Sequence, residues 1–130
     1  MTRWLVSWGP AAVWAAVLFA VSSRPTLPVD LSSGLDKVAH FGAYLILGFL
    51  SAHATGRLGI SFVLAVALGW GYGIIDELHQ SAVPGRDASV ADWLADAAGT
   101  VSGVTLYLLL LRARTRSGTA PDFDSAEPTS

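Results

Sequence analysis

The sequence predicts an all-α integral membrane protein, a bundle of four transmembrane helices, and two observations support this fold class. Hydrophobic residues make up 52% of the chain and charged residues only 14%, against about 25% charged residues in ordinary soluble domains. The apolar residues form long uncharged runs, whereas a soluble bundle would show apolar stripes opposite charged faces. The 130 residues leave room for one domain. The absence of cysteine and of a basic tract excludes disulfides, thiolate chemistry and a nucleic-acid footprint.

The first predicted helix covers Trp4–Val21, a run of 18 residues without a charge. This length crosses about 30 Å of hydrocarbon with slight thinning of the bilayer, and membrane helices tolerate a proline such as Pro10. A cleaved signal peptide is the alternative, with Arg3 as its basic region. We favour a retained helix because the run exceeds the usual signal-peptide core and because Trp4 and Trp8 suit the membrane interface.

Three further helices follow a loop that contains two prolines. The second helix is predicted from Asp36 to about His53, the third over the uncharged run Leu58–Ile75, and the fourth from about Ala91 to Leu111. The link between the second and third helices is very short, so these helices should be antiparallel neighbours. We predict a transmembrane domain over residues 1–112 and a disordered cytoplasmic tail over residues 113–130, which are rich in Ser, Thr, Pro and acids.

Two segments within these helices have the GxxxG spacing. They are residues 69–73 and the segment from Gly99 to Gly103. In lipid, glycines at this spacing allow two helix backbones to approach closely. Helix packing is therefore the predicted role of both segments.

The distribution of basic residues predicts the orientation of the bundle. Four spans place both termini on one side, and the basic residues of that side are Arg3, Arg57, Arg112, Arg114 and Arg116. The other side receives Arg24, Lys37 and Arg86. The positive-inside rule assigns both termini to the cytoplasm of a plasma-membrane protein. The polar segments 22–37 and 76–91 should then face outward.

Ionisable residues are concentrated between the third and fourth helices. The site candidates in this stretch are Asp76, Glu77, His79, Gln80, Arg86, Asp92 and Asp96. Pro84 and Gly85 form a turn signal that must end the third helix, and we interpret Asp87 as a solvated loop residue. A solvated helix end could explain Asp76 or His79 taken alone, and Arg86 could meet lipid head groups.

A second polar group begins the second helix. Asp36, His40 and Tyr44 are spaced four residues apart and line one helical face, with Lys37 beside them. The second helix begins on the side of the membrane at which the third helix ends. The two polar groups should therefore meet in one shallow pocket at the outer membrane–water boundary. The rise of 1.5 Å per residue puts His40 about 6 Å deeper than Asp36. Ionisable residues at such depth, His40 and Asp96 above all, are functional candidates.

Helix capping and metal binding are two further roles for these residues. The segments 33–36 and 89–92 both fit the capping box, which could account for Asp36 and Asp92. A divalent cation is the cofactor that the composition of the two groups suggests, although local spacing of the HExxH kind is missing. Its ligands would be His40 and His79 with Asp76, Glu77, Asp92 or Asp96.

The second and third helices carry paired motifs. They are Asp36-Lys37-x-x-His40-Phe41-x-x-Tyr44 and Asp76-Glu77-x-His79-Gln80-x-x-x-Pro84-Gly85-Arg86. With Asp92 and Gly99, they resemble the VanZ-like family, small bacterial multi-pass membrane proteins named for a member linked to teicoplanin resistance. The resemblance spans residues 4–111. It implies a relation to lipid-modifying membrane enzymes with the polar motif as active site, and it does not imply resistance for every member.

The predicted function is an enzyme acting on the phosphodiester head group of a membrane lipid or lipid-linked envelope precursor. The catalytic candidates are His40, Asp76, Glu77, His79, Arg86, Asp92 and Asp96. Substrate contacts are predicted for Lys37, Tyr44, Gln80 and Arg86. Structural roles are predicted for Asp36, Pro84, Gly85, Gly99 and Gly103.

In this reaction, Arg86 with Lys37 nearby holds the phosphate. His40 or His79 is the base or nucleophile, and the other histidine is the acid. A carboxylate, Asp76, Asp92 or Asp96, orients a histidine or binds the cation. The alternative is a non-catalytic scaffold or binding protein for an envelope lipid or glycopeptide, linked to teicoplanin-type resistance.

Overall fold

The computed structural model describes residues 1–25, 33–86 and 88–117, and the regular structure within these ranges is entirely helical. Four helices follow one another: α1 (Thr2–Ser22), α2 (Ser33–Leu58), α3 (Phe62–Ser81) and α4 (Val90–Ser117). Each helix is long and apolar enough to cross a membrane. The predicted fold class, an all-α bundle of four membrane-spanning helices, is confirmed.

The last three helices end later than predicted, and α3 begins at Phe62 and not at Leu58, which belongs to α2. α2 continues to Leu58 and is followed by Gly59, whose φ of 69° is the left-handed conformation that glycine adopts freely after a helix. Ser61 then caps α3, because its side chain accepts a hydrogen bond from the backbone N–H of Val63 (3.3 Å). α4 continues to Ser117, so its last five residues belong to the segment predicted as a tail, and residues 118–130 lie outside the described ranges.

The helices alternate in direction, with α2 at the centre. Within the described ranges α2 packs against the other three helices, whereas the backbones of α1 and α4 do not approach each other closely. At one end of the bundle, Nη2 of Arg3 in α1 donates to the carbonyl of Arg57 at the end of α2 (2.7 Å). Farther along, the indole N–H of Trp14 donates to the carbonyl of Ala43 (2.9 Å). α2 and α3 lie against each other and run antiparallel, as their short link predicts.

Glycines set the spacing of α4 against α2 and α3. A Cβ at Gly99 would collide with the carbonyl oxygen of Phe41, and one at Gly103 would collide with that of Leu45. On α3, a Cβ at Gly69 would collide with the side chain of Thr100, and one at Gly73 would lie 3.2 Å from the ring of Trp93. Both GxxxG segments therefore have the packing role predicted for them. This close approach brings the polar start of α4 against the polar start of α2.

Candidate functional site

The two polar groups of the sequence meet at one end of the bundle, where α2 begins, α3 ends and α4 begins. Nζ of Lys37 lies 2.8 Å from Oδ1 of Asp92. Nδ1 of His40 lies 2.9 Å from Oδ1 of Asp96. Both contacts join α2 to α4, which confirms the predicted meeting of the two groups.

The pair of His40 and Asp96 lies inside the bundle. The Asp96 side chain is fully buried and the imidazole is largely buried. With Asp96 ionised and the imidazole neutral, the Nδ1–H of His40 donates to Oδ1, and Nε2 carries the lone pair that a base or a nucleophile needs. A carboxylate behind an imidazole fixes the tautomer and the orientation of the ring. This arrangement gives Asp96 the orienting role predicted for one of the carboxylates.

A tight turn brings Arg86 back over the end of α3. Its backbone N–H donates to the carbonyl of Val83 (3.1 Å), and Gly85 has a φ of 81°. With Pro84 before the glycine, this is the arrangement of a type II turn, which needs a residue that tolerates positive φ. The predicted turn is confirmed, and it sets the direction in which the Arg86 side chain leaves the backbone.

Hydrogen bonds along α3 hold the Arg86 guanidinium. Nη1 donates to Oε1 of Gln80 (3.0 Å), and Nε2 of Gln80 donates to Oδ2 of Asp76 (3.1 Å). Asp76 and Gln80 are one helical turn apart and both are buried. Gln80 is the only hydrogen-bond partner of the guanidinium within the described ranges. The remaining N–H groups are therefore available for an anion.

A pocket of about 130 Å³ joins these two arrangements. The ionisable and amide side chains that line it are Asp36, His40, Tyr44, Asp76, Gln80 and Arg86. Its apolar side is formed by Leu18 and Val21 of α1 with Ala39 and Ala43 of α2. The pocket therefore presents an imidazole and a guanidinium to one small volume, beside an apolar wall.

α1 supplies a wall of this pocket that the sequence reasoning missed. His79 holds the end of α1, since its Nε2 lies 2.9 Å from Oγ of Ser23 and its ring stacks on Phe19 with centroids 4.5 Å apart. Of the two histidines predicted for catalysis, His40 lines the pocket and His79 joins α1 to α3. The sequence indicated only that the end of α1, with Ser22 and Ser23, lies on the same side of the membrane as the two polar groups.

Glu77 faces the start of α4. Its Oε2 accepts a hydrogen bond from the backbone N–H of Ser89 (2.7 Å). Oγ of Ser89 accepts in turn from the backbone N–H of Asp92 (3.4 Å), which is one half of the predicted capping box. The other half is not formed, because the Asp92 carboxylate pairs with Lys37 and the N–H of Ser89 is already bonded to Glu77.

The two remaining substrate-contact candidates lie in different places. Lys37 is partly exposed and is bonded to Asp92, outside the pocket lining. Tyr44 lines the pocket, is buried, and has a hydroxyl with no hydrogen-bond partner among the described residues. The side chain of Ser33 and all of Asp87 lie outside the described ranges, so the cap at Asp36 and the solvated role of Asp87 stay predictions.

Two overlapping groups of side chains at this end are close enough to hold a cation. One consists of His40, Glu77 and Asp96, and the other of Asp36, His40 and Asp92. In each group the ligand atoms lie within 4.8 Å of one another. All three members of the first group are predicted ligands, whereas in the second group only His40 and Asp92 are and Asp36 is not. His79 belongs to neither of these groups of described residues.

Of three comparisons with known proteins, one gave a match. Neither the comparison with curated proteins nor that with solved structures gave a match. A family model described as VanZ/LLP1 matches residues 3–111. The matched region contains both polar groups, the turn before Arg86 and most of α4, in agreement with the resemblance in the motifs. The chain is therefore a multi-pass membrane protein, and it belongs to the VanZ/LLP1 family.

Proposed function

We propose that this membrane protein cleaves or exchanges the phosphodiester head group of an envelope lipid. The observation that carries the proposal is that a fixed guanidinium and a fixed imidazole line the same pocket of about 130 Å³. Transfer at phosphorus needs a donor that holds and neutralises the phosphate and a group that activates the attacking oxygen. Arg86 can hold and neutralise the phosphate, and His40 can activate the attacking oxygen.

Arg86 is suited to hold the phosphate. Gln80 engages only its Nη1, so Nη2 and Nε can bind two phosphate oxygens in the planar, paired geometry that arginine offers. The hydroxyl of Tyr44 is a further donor within the same pocket. Together they would stabilise the charge that develops on the phosphate oxygens during attack.

His40 is the residue that we expect to activate the attacking group. Asp96 holds its Nδ1–H, so Nε2 can take a proton from water or an alcohol, or can itself attack phosphorus. His79 is engaged with Ser23 and Phe19, outside the pocket lining. We therefore assign activation to His40 and the positioning of α1 to His79.

The setting of the pocket suits a lipid substrate. Its apolar side, which includes Leu18 and Val21, lies beside its charged lining at the polar end of four membrane-spanning helices. A phospholipid brings apolar chains and an anionic head group to the same boundary. The positive-inside rule orients this end toward the outer face of the plasma membrane. The accessible substrates would then be outer-leaflet lipids and lipid-linked envelope precursors.

The second candidate is a non-catalytic protein that binds an envelope lipid or glycopeptide. It is favoured by the polar contacts that connect helices: Lys37 with Asp92, and Glu77 with the backbone of Ser89. Such contacts stabilise a bundle without any reaction. A link to teicoplanin-type resistance belongs to this candidate, which differs from an enzyme in releasing its ligand unchanged.

Lipid turnover by the purified protein in nanodiscs separates the two candidates. The nanodiscs contain phosphatidylglycerol, phosphatidylethanolamine, cardiolipin or the total lipid of a bacterial membrane, and mass spectrometry follows head-group release. We expect turnover by the wild type and a loss of about 100-fold or more in His40→Gln, since a general base contributes roughly 10²–10⁴ in rate. The control is His53→Gln, because His53 packs against Tyr107 at the opposite end of the bundle.

The comparison of the two histidines tests the assignment. His79→Gln should lose less activity than His40→Gln, because it loosens α1 without removing the activating group. Greater damage from His79→Gln than from His40→Gln would transfer the activating role to His79. Wild-type protein that leaves every lipid intact, yet co-purifies with one of them, would contradict the enzyme and favour the binding protein.

A further inference from the structure

Three buried carboxylates at the polar end have unused acceptor capacity. Asp76, Glu77 and Asp96 are 4%, 7% and 0% exposed. Each has one oxygen without a hydrogen-bond partner in the described part of the chain, namely Oδ1 of Asp76, Oε1 of Glu77 and Oδ2 of Asp96. Unsatisfied buried polar atoms are uncommon in folded proteins and call for an explanation.

Among the described residues, no basic side chain is hydrogen-bonded to Asp76 or Glu77. Lys37 pairs with Asp92, the guanidinium of Arg86 is bonded to Gln80, and His40 is bonded to Asp96. An ionised carboxylate that is buried without a counter-charge costs several kcal/mol, and the surrounding bilayer makes escape to water harder. Within the described ranges, His40 is the only base bonded to any of the three carboxylates, so their remaining negative charge requires protons or a bound cation.

Two of the three carboxylates converge on His40. The ligand atoms of His40, Glu77 and Asp96 come from α2, α3 and α4 and lie within 4.8 Å of one another. The unpartnered Oδ2 of Asp96 faces α3, where a Cβ on Gly73 would lie 3.4 Å from it. Glu77 is one helical turn from Gly73 on the same face of α3. The free oxygen of Asp96 therefore faces the same side of α3 as Glu77.

We propose that His40, Glu77 and Asp96 bind one divalent transition-metal ion, Zn²⁺ or Mn²⁺. One imidazole nitrogen with two carboxylate oxygens is a ligand set suited to these ions, whereas Mg²⁺ and Ca²⁺ prefer oxygen ligands alone. The two carboxylates balance the charge of the ion. Three protein ligands leave a coordination position open, as in catalytic zinc sites.

Such an ion would change the role of His40 in the proposed reaction, because one ring nitrogen would give its lone pair to the ion. A bound Zn²⁺ would then supply the chemistry that activates a water molecule. Metal binding is measured without lipid. A protein that binds no ion would leave the proposed function standing with His40 as its base.

The test is metal titration of the wild type and of three variants, Glu77→Gln, Asp76→Asn and Asp92→Asn. The protein is purified with a tag that contains no histidine, treated with a chelator, and titrated by calorimetry with MnCl₂ and with ZnCl₂. We expect one equivalent of ion per chain, bound at least about tenfold more weakly by Glu77→Gln. Asp76→Asn should bind like the wild type, because Asp76 is the adjacent buried carboxylate and belongs to neither cation group.

Thermal unfolding separates a lost ligand from a damaged fold. The ion should raise the unfolding temperature of the wild type but not that of Glu77→Gln. Without the ion, Glu77→Gln should unfold no earlier than the wild type, because the variant lacks a buried negative charge. Three results would overturn the proposal: no stoichiometric binding of either ion, equal weakening by Glu77→Gln and Asp76→Asn, or weakening by Asp92→Asn alone, which would move the ion to the other group.

Discussion

Three neighbouring residues set the position of the Arg86 side chain. Gly85 permits the turn that reverses the chain, Gln80 accepts from Nη1, and Asp76 holds Gln80 in place. The result is a guanidinium with two edges, one bonded to the protein and one available to a ligand. A lysine has a single ammonium and no planar fork, so it cannot reproduce both edges at once.

Arg86→Lys should therefore remove activity without unfolding the protein. We expect head-group release in nanodiscs to fall by about 10²–10³, the usual effect of losing a donor to a developing oxyanion. The unfolding temperature should stay unchanged, because the half-buried Arg86 side chain makes one hydrogen bond within the described ranges. Arg24→Lys is the control, an exposed arginine at the same end. Near-normal turnover by Arg86→Lys would make Arg86 an interfacial residue that meets lipid head groups.

The sequence could identify both histidines as candidates but could not rank them. Successive residues of a helix are separated by 100°, so the rotation of α3 decides which side chains face the pocket. Asp76 and Gln80 face it, whereas His79 is turned toward Phe19 of α1. That rotation follows from packing, including the contact of Gly73 with Trp93. Contacts between distant helices are not visible in the local pattern of residues.

The interface between α2 and α4 holds the two polar groups of the site together. At Gly99 and Gly103 the backbone of α4 lies directly against the backbone of α2. Small residues permit such contact in lipid, where no hydrophobic force drives helices together and close packing must stabilise the pair. The hydrogen bond between His40 and Asp96 crosses the same interface. The geometry of the site is thus linked to the fit of these two helices.

Gly103→Ala should loosen this interface. Its Cβ would collide with the carbonyl of Leu45, and backbone atoms cannot move aside as a flexible side chain can. We expect a loss of about 1–3 kcal/mol in stability, typical of overpacking, measured as a lower unfolding temperature in detergent. Gly42→Ala is the matched control in α2, since nothing lies within 4 Å of an added Cβ there. Equal effects of the two variants would exclude close packing as the reason for Gly103.

Among the four helices, α1 is the one whose placement against its neighbours could least be predicted from the sequence. The helix has no charged residue between Trp4 and Val21, so its long apolar run does not indicate which face meets the protein. It is placed instead by hydrogen bonds to backbone carbonyls, such as that from the hydroxyl of Tyr72 to Ala15 (2.6 Å). Since lipid and the protein interior are similarly apolar, hydrophobic periodicity carries little information about this choice.

For the molecule as a whole, the bilayer made the fold predictable. Backbone groups in hydrocarbon must be bonded within their own segment, so long uncharged runs are sufficient to predict spanning helices. Alternating spans then bring the start of α2, the end of α3 and the start of α4 to one end. Helix ends were less predictable, since the basic residues near the end of α4 suit a helix C-terminus and do not stop the helix.

The side of the membrane on which the pocket opens is the remaining property of the whole molecule. The chain has no cysteine, so Ala82→Cys and Ala113→Cys can each report one end. Both alanines are exposed, the first after α3 beside the pocket and the second near the opposite end of α4. We expect a membrane-impermeant maleimide to label Ala82→Cys in intact cells and Ala113→Cys only after lysis, because the positive-inside rule predicts that the arginine-rich side stays in the cytoplasm. The reverse pattern would open the pocket to the cytoplasm, and its substrates would then be inner-leaflet lipids.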